Sequence, residues 1–116
     1  HSNARALCEH KRNLTDLQLS LIAQSGGVVG INLYPLFLGD FQSDYGDIIA
    51  HIEHIMNVVG ENSVCFGTDF DGAQLDFRFS TVADMKKLWS NLTKIFGFEL
   101  CDKLFYKNCY EFLKKL

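Results

Sequence analysis

The chain has 116 residues, which suits one domain, and its 11 lysines and arginines against 14 aspartates and glutamates give a formal net charge of −3. Hydrophobic residues make up 47% of the chain and charged residues 22%, which is typical of a folded protein and excludes a disordered one. The acidic balance argues against nucleic-acid binding, and the longest apolar stretch, 26–38, falls short of the roughly 20 apolar residues that a membrane span needs.

The four cysteines contain no C-x-x-C pair, so a zinc knuckle or a thioredoxin-like redox site is disfavoured. Three of them, Cys65, Cys101 and Cys109, lie in apolar segments, where a free cysteine behaves as a small buried hydrophobic residue. We therefore expect a reducing, cytoplasmic setting.

The first predicted elements are a helix and a strand. Asn13 or Thr15 can cap a helix over about 15–25, and Gly26-Gly27 ends it. The mostly apolar run 28–34 predicts a short strand buried on both faces, as in a parallel sheet. Pro35 ends that strand, and a loop is expected to follow.

The second half continues the alternation. Apolar residues at three- and four-residue steps predict a helix over about 45–59, closed by Gly60. A second strand is expected over about 63–68, followed by helices over about 81–96, after Phe98 and over about 108–115. This order predicts an α/β fold with a parallel sheet. Two strands alone leave both edges uncovered, so we expect one partial domain, 1–116, that lacks structure preceding its N-terminus.

Polar residues at the C-terminal ends of parallel strands are the usual chemical positions in α/β proteins. Asn32 and Tyr34 end the first predicted strand, and Asp69 ends the second. His1 heads the chain, and Arg12 precedes the first helix. These residues are the candidates for a site.

Several short motifs occur in a fixed order along the chain. They are His1-Ser2-Asn3-Ala4, Arg12-Asn13, the G-x-x-x-x-N-x-Y run from Gly27 to Tyr34, His51-Ile52-Glu53-His54-Ile55, Gly67-Thr68-Asp69-Phe70-Asp71-Gly72, and Asn108. This ordered set resembles the second half of the membrane (renal) dipeptidases, zinc metallopeptidases with a (β/α)8 barrel. The resemblance covers nearly all of this chain but only the C-terminal half of a family member.

The resemblance implies a role for each matching residue. His1 matches a ligand of a binuclear zinc centre, and Arg12 matches the residue that binds the terminal carboxylate of a dipeptide substrate. Asp69 matches the carboxylate that meets the substrate's amino group and assists proton transfer. Tyr34 would form a wall of the pocket, and the zinc ions would polarise the scissile carbonyl and supply hydroxide.

The chain departs from the family pattern in two respects. The family's other metal ligands and a further substrate-binding histidine all precede His1, so this fragment alone is expected to form no binuclear centre and to be inactive. We also expect the isolated piece to self-associate. After Gly72, the stretch 73–78 replaces the family's glycine- and acid-rich loop, which leaves any substrate preference set there open.

Other interpretations remain open at this stage. A histidine followed by Ser2-Asn3-Ala4 also matches the remnant of an expression tag, and a chain that begins without Met is a processed product, an engineered piece or part of a longer protein. Asp71 is expected to form a turn only, and His51 and His54 are expected to be helix-surface or second-layer histidines with a carboxylate partner. The alternative functions are a small non-enzymatic α/β binding or interaction module, or another amidohydrolase-type reaction.

Overall fold

A computed structural model describes residues 1–75 and 78–116. Asp76 and Phe77, part of the stretch that departs from the family pattern, lie outside the described residues. The elements in chain order are α1 (Asp16–Gln24), β1 (Val29–Ile31), α2 (Pro35–Leu38), α3 (Tyr45–Val59), β2 (Val64–Phe66), α4 (Val82–Phe96), α5 (Phe98–Asp102), a π-helical segment (Lys103–Lys107) and α6 (Asn108–Lys114).

The two strands pair in parallel, as expected for an α/β fold. Val29 lies opposite Val64, and Ile31 lies opposite Phe66. Helix α3 lies between them in the chain and packs on both strands. Each strand is shorter than its predicted range, but the α/β class and the parallel pairing are confirmed.

A short helix, α2, occupies the position where a loop was expected. Pro35 is its first residue. The ring of proline fixes φ near the helical value, and its missing N–H costs nothing in a first helical turn. The strand already ends at Ile31, before Pro35, and Pro35 begins a helix rather than the expected loop.

The N-terminal residues run beside β1. The Ser2 N–H donates to the carbonyl of Gly30 at 2.9 Å. The Asn3 side chain bonds both backbone groups of Asn32, accepting from its N–H at 2.9 Å and donating to its carbonyl at 2.9 Å. Because Ser2 contacts Gly30 and the next residue, Asn3, contacts Asn32, the N-terminal segment runs alongside β1 in the same direction.

The core lies between the sheet and the helices. The apolar stripe of α3 predicted from the sequence is buried at Ile48, Ile52 and Ile55. Leu19 of α1 is also fully buried, and α1 begins at a Thr15 cap in which the Thr15 side chain accepts from the Gln18 N–H. Helix α3 packs on the sheet and α1 packs on α3, so both helices belong to one core with the strands. None of the helices in 1–75 and 78–116 has the length and apolar character needed to cross a membrane.

Candidate functional site

One cavity of about 440 Å³ brings together four of the five residues singled out from the sequence, all except Asn32. Its wall contains His1, Arg12, Tyr34 and Asp69, together with Phe37 of α2 and residues 72–74. These groups come from the N-terminal segment, the loop before α1, the end of β1 and the end of β2. The convergence follows from the parallel sheet, which carries the ends of neighbouring strands to one edge.

Asp69 adopts an unusual backbone conformation directly after β2. Its φ of 66° is the one positive φ of a non-glycine residue in the described part of the chain. The Asp69 carbonyl accepts from the N–H groups of Gly72 at 3.1 Å and Ala73 at 3.2 Å. A Cβ at position 72 would lie 2.1 Å from Asp69 Oδ1, so any larger residue there would displace the carboxylate. The tight turn thus holds the carboxylate, whose side chain is 14% exposed, against the cavity.

His1 lies next to Asp69 and remains accessible. Its side chain is 42% exposed, and its Nε2 atom lies 3.8 Å from Asp69 Oδ1. The backbone there is closely packed, since a Cβ at Gly67 would lie 2.9 Å from His1 Cβ. This packing holds the imidazole beside the carboxylate at one end of the cavity.

Arg12 reaches the cavity from the loop that precedes α1. Its guanidinium carbon lies 5.9 Å from the centroid of the Phe37 ring, and that ring also meets Tyr34 edge-on at 4.8 Å. Among the ion pairs of the described residues, none involves Arg12. The guanidinium is therefore supported by an aromatic ring while its donors remain available to an incoming anion.

A buried asparagine holds the Arg12 loop in place. The Asn13 side chain donates to the carbonyl of Cys8 and to that of Phe37, both at 2.9 Å. Its Oδ1 atom accepts from the Asn3 N–H at 3.3 Å. Asn13 therefore ties together three segments that line the cavity: the N-terminal residues, the Arg12 loop and α2.

Asn32 has a position in the site that the sequence did not reveal. Its side chain is completely buried. Its Oδ1 atom accepts from the Tyr34 N–H at 2.8 Å, and its Nδ2 atom donates to Asp69 Oδ2 at 3.1 Å and lies 3.3 Å from His1 Nδ1. The sequence placed Asn32 at a strand end but gave it no role. The N-x-Y spacing of Asn32 and Tyr34 was the sequence signal that could have indicated this position.

The two histidines of α3 have different environments. His51 is buried, accepts from the Ala4 N–H at its Nδ1 atom (3.1 Å), and has its Nε2 atom 2.8 Å from the carbonyl of Leu38. Burial lowers the pKa of His51. His54 lies nearer the surface and pairs with Asp16 of α1 at 2.7 Å. His51 is therefore an interior histidine bound to backbone groups, whereas His54 has a carboxylate partner, which comes from α1 rather than from its own helix as expected.

The cavity contains side chains of the types that bind zinc, but too few of them. An imidazole and a carboxylate, here His1 and Asp69, are both common zinc ligands, but a zinc site takes three or four protein ligands. Across 1–75 and 78–116, no group of three or more His, Cys, Asp or Glu side chains could hold a metal ion. The residues present do not form a complete metal site by themselves.

An α/β protein that gathers an imidazole, a guanidinium and a carboxylate at the ends of its strands has the arrangement of a small-molecule site. The model of the membrane dipeptidase family, peptidase family M19, matches residues 1–115. The chain therefore belongs to the membrane dipeptidase family, and the resemblance noted in the sequence is confirmed.

Individual relatives agree with this assignment. The chain is 40% identical over its whole length to an uncharacterized protein in the pqqA 5′ region of Klebsiella pneumoniae, of which it covers 45%. It is 39% identical over 75 residues, 62% of its length, to the dipeptidase aclJ of Aspergillus oryzae, of which it covers 18%. A metallo peptidase from Rhodobacter sphaeroides, crystallised with a phosphinate mimic of the dipeptide L-Ala-D-Ala, superposes with a TM-score of 0.91 at 32% identity over 98% of this chain and 34% of that one. The chain thus spans less than half the length of these relatives.

Proposed function

We propose that this chain is the C-terminal part of a (β/α)8 barrel, a single partial domain, in a metal-dependent dipeptidase that hydrolyses the peptide bond of dipeptides. The observation that carries this proposal is the meeting of Arg12 and Asp69 in one cavity with His1. A dipeptide carries a carboxylate at one end and an ammonium group at the other. The cavity offers a group of opposite charge for each end.

Different residues of the chain would bind the two ends of the substrate. The Arg12 guanidinium binds the terminal carboxylate through paired N–H donors, and the ring of Phe37 supports it from one side. Asp69 binds the ammonium group and accepts and returns a proton around the scissile bond. Tyr34 and Phe37 form an apolar wall beside the substrate. Recognition of both charged ends limits the substrate to a short peptide.

The metal of the complete enzyme is proposed to be zinc, in a binuclear centre. His1 would hold it from this chain, and the remaining ligands would come from parts of the barrel outside these 116 residues. When bound, zinc supplies a Lewis acid and a hydroxide near neutral pH. Because the described residues, 1–75 and 78–116, hold no full ligand set, we propose that the chain is inactive without the rest of the barrel.

The role of Asp69 is tested by a substitution in the complete enzyme. We expect Asp69→Asn to lower kcat/KM for dipeptides by about 100-fold or more, because the amide neither pairs with the ammonium group nor exchanges the proton. Asp71→Asn is the matched control, since Asp71 is exposed and does not line the cavity. Full activity of the Asp69→Asn enzyme would show that the assignment is wrong.

A further inference from the structure

We propose that Asn32 is a positioning residue, one whose side-chain amide holds the carboxylate of Asp69 in the orientation that meets the substrate. This inference rests on the proposed dipeptidase function and adds a residue to it. Asn32 does not line the cavity and would not touch the substrate. Its action on the reaction would pass through Asp69.

The orientation of the Asn32 amide is fixed by the groups around it. The backbone N–H of Tyr34 can only donate, so the amide oxygen must face it, and the two atoms lie 2.8 Å apart. The amide nitrogen is then directed at Asp69 Oδ2, 3.1 Å away. If the amide were reversed, its NH₂ group would face the Tyr34 N–H, and its oxygen would face the Asp69 carboxylate oxygen. Asp69 therefore always meets a hydrogen-bond donor at this position.

The backbone of Asn32 is held as firmly as its side chain. Both of its backbone groups bond to the side chain of Asn3, and both asparagines are fully buried. A buried amide whose donors and acceptor are all engaged has little freedom to turn. Asn32 is thus a rigid reference point at the end of β1.

Asp69 needs such a reference point because its own backbone is in the left-handed region, a costly conformation for a residue with a Cβ. The bond from Asn32 engages Oδ2. The other oxygen, Oδ1, lies 3.8 Å from His1 Nε2, beyond hydrogen-bonding distance. The contacts therefore divide the carboxylate into an oxygen held by the protein and an oxygen left for the substrate.

The test is Asn32→Asp in the complete enzyme. This change conserves the shape of the side chain and still accepts from the Tyr34 N–H, but it places an acceptor where Asp69 needs a donor. We expect kcat/KM for a dipeptide to fall by about 10- to 100-fold, the worth of a hydrogen bond to a charged group. Asn32→Ala, which removes the donor and adds no charge, is expected to give a loss in the same range.

Asn108→Asp is the matched control. Asn108 is another buried asparagine, but it donates to the carbonyls of Glu61 and Val64, at the start of β2 and away from the cavity. We expect this variant to lose thermal stability and to keep its kcat/KM. If Asn32→Asp were as active as the parent enzyme, or if Asn108→Asp lost as much activity, the positioning role would be overturned.

A double-mutant cycle separates positioning from a general structural effect. If Asn32 acts through Asp69, Asn32→Asp should cause no further loss of kcat/KM in an Asp69→Asn background. Multiplied losses would contradict the proposal. An enzyme that hydrolyses no dipeptide would overturn the proposed function itself, whereas an active enzyme that is insensitive to Asn32→Asp would overturn only this inference.

Discussion

At the scale of single residues, His51 links the stability of the fold to pH. Its Nδ1 atom accepts from the Ala4 N–H, so it carries no proton there, while Nε2 carries the hydrogen that faces the Leu38 carbonyl. A proton on Nδ1 would break the bond to Ala4 and charge a buried ring. Burial accordingly lowers the pKa of His51 from its ordinary value, although the Leu38 carbonyl and Asp47 act in the opposite direction.

This lowered pKa predicts how stability varies with pH. The unfolded chain binds a proton at His51 near pH 6.5, whereas the folded chain binds it only at lower pH. The contribution of His51 is therefore fully present above about pH 6.5 and is lost as pH falls from there through the folded pKa. We expect His51→Gln to remove this part of the acid-side decline in the free energy of unfolding.

The measurement is urea unfolding of the complete protein on either side of about pH 6.5, the ordinary histidine pKa. His54→Gln is the control, because His54 contacts Asp16 on the surface rather than the N-terminal segment. That variant should keep the decline due to His51. An unchanged pH dependence in His51→Gln would show that this imidazole is not the group responsible.

The sequence indicated which residues line the cavity, but it did not indicate the contacts between them. His1, Arg12, Tyr34 and Asp69 follow from motif order and from their positions at the ends of predicted elements, and the structure brings them to one cavity. Their chemical roles remain predictions. The part of Asn32 could not be foreseen, because the direction of an amide depends on which neighbouring groups donate, and that is set by the folded backbone.

At the scale of elements, the two strands approach each other unusually closely at a pair of glycines. A Cβ on Gly30 would lie 2.9 Å from both the Cα and the N of Gly67. Real Cβ atoms do not come that close to backbone, so an alanine at position 30 would push the strands apart. Glycine at this point keeps the ends of β1 and β2, and therefore Asn32 and Asp69, within bonding distance.

We expect Gly30→Ala to lower the free energy of unfolding of the complete protein by about 1–3 kcal/mol, the usual cost of overpacking an interior. Gly46→Ala in α3 is the matched control. The atom nearest to its new Cβ is the Asp44 Oδ1 atom, 3.1 Å away at the end of a side chain. Urea unfolding should show a change within about 1 kcal/mol for that variant. Equal effects of the two substitutions would contradict the close-approach argument.

The element boundaries show where sequence patterns stop being informative. The strand predicted over 28–34 ends at Ile31: the backbone of Asn32 bonds the side chain of Asn3, and the Leu33 N–H reaches the Thr68 carbonyl only at 3.4 Å. Apolar periodicity cannot detect a side chain that substitutes for a strand partner. The helix over 45–59 was predicted well because its apolar stripe and its terminal glycine are local signals.

At the scale of the whole molecule, the chain leaves much apolar surface uncovered. The sheet has two strands; the N-terminal residues lie along the outer edge of β1, and no strand of the described residues lies along the outer edge of β2. Three apolar side chains at helical spacing near the C-terminus, Tyr106, Tyr110 and Leu113, are 58%, 47% and 56% exposed. Surfaces of this kind are normally covered by other parts of a fold. The proposed remainder of the barrel would supply that cover.

The 116-residue chain studied alone is therefore expected to self-associate. Sedimentation velocity at increasing concentration should show a growing fraction of larger species, and calorimetry should show a broad transition in place of a cooperative one. Leu113→Glu should reduce the association, because it places a charge in the exposed stripe of α6. Val82→Glu is the control, since Val82 is more exposed than Leu113 but begins α4, outside that stripe. A monodisperse, cooperatively melting monomer would show that these 116 residues are a complete folding unit and would count against their proposed place in a larger barrel.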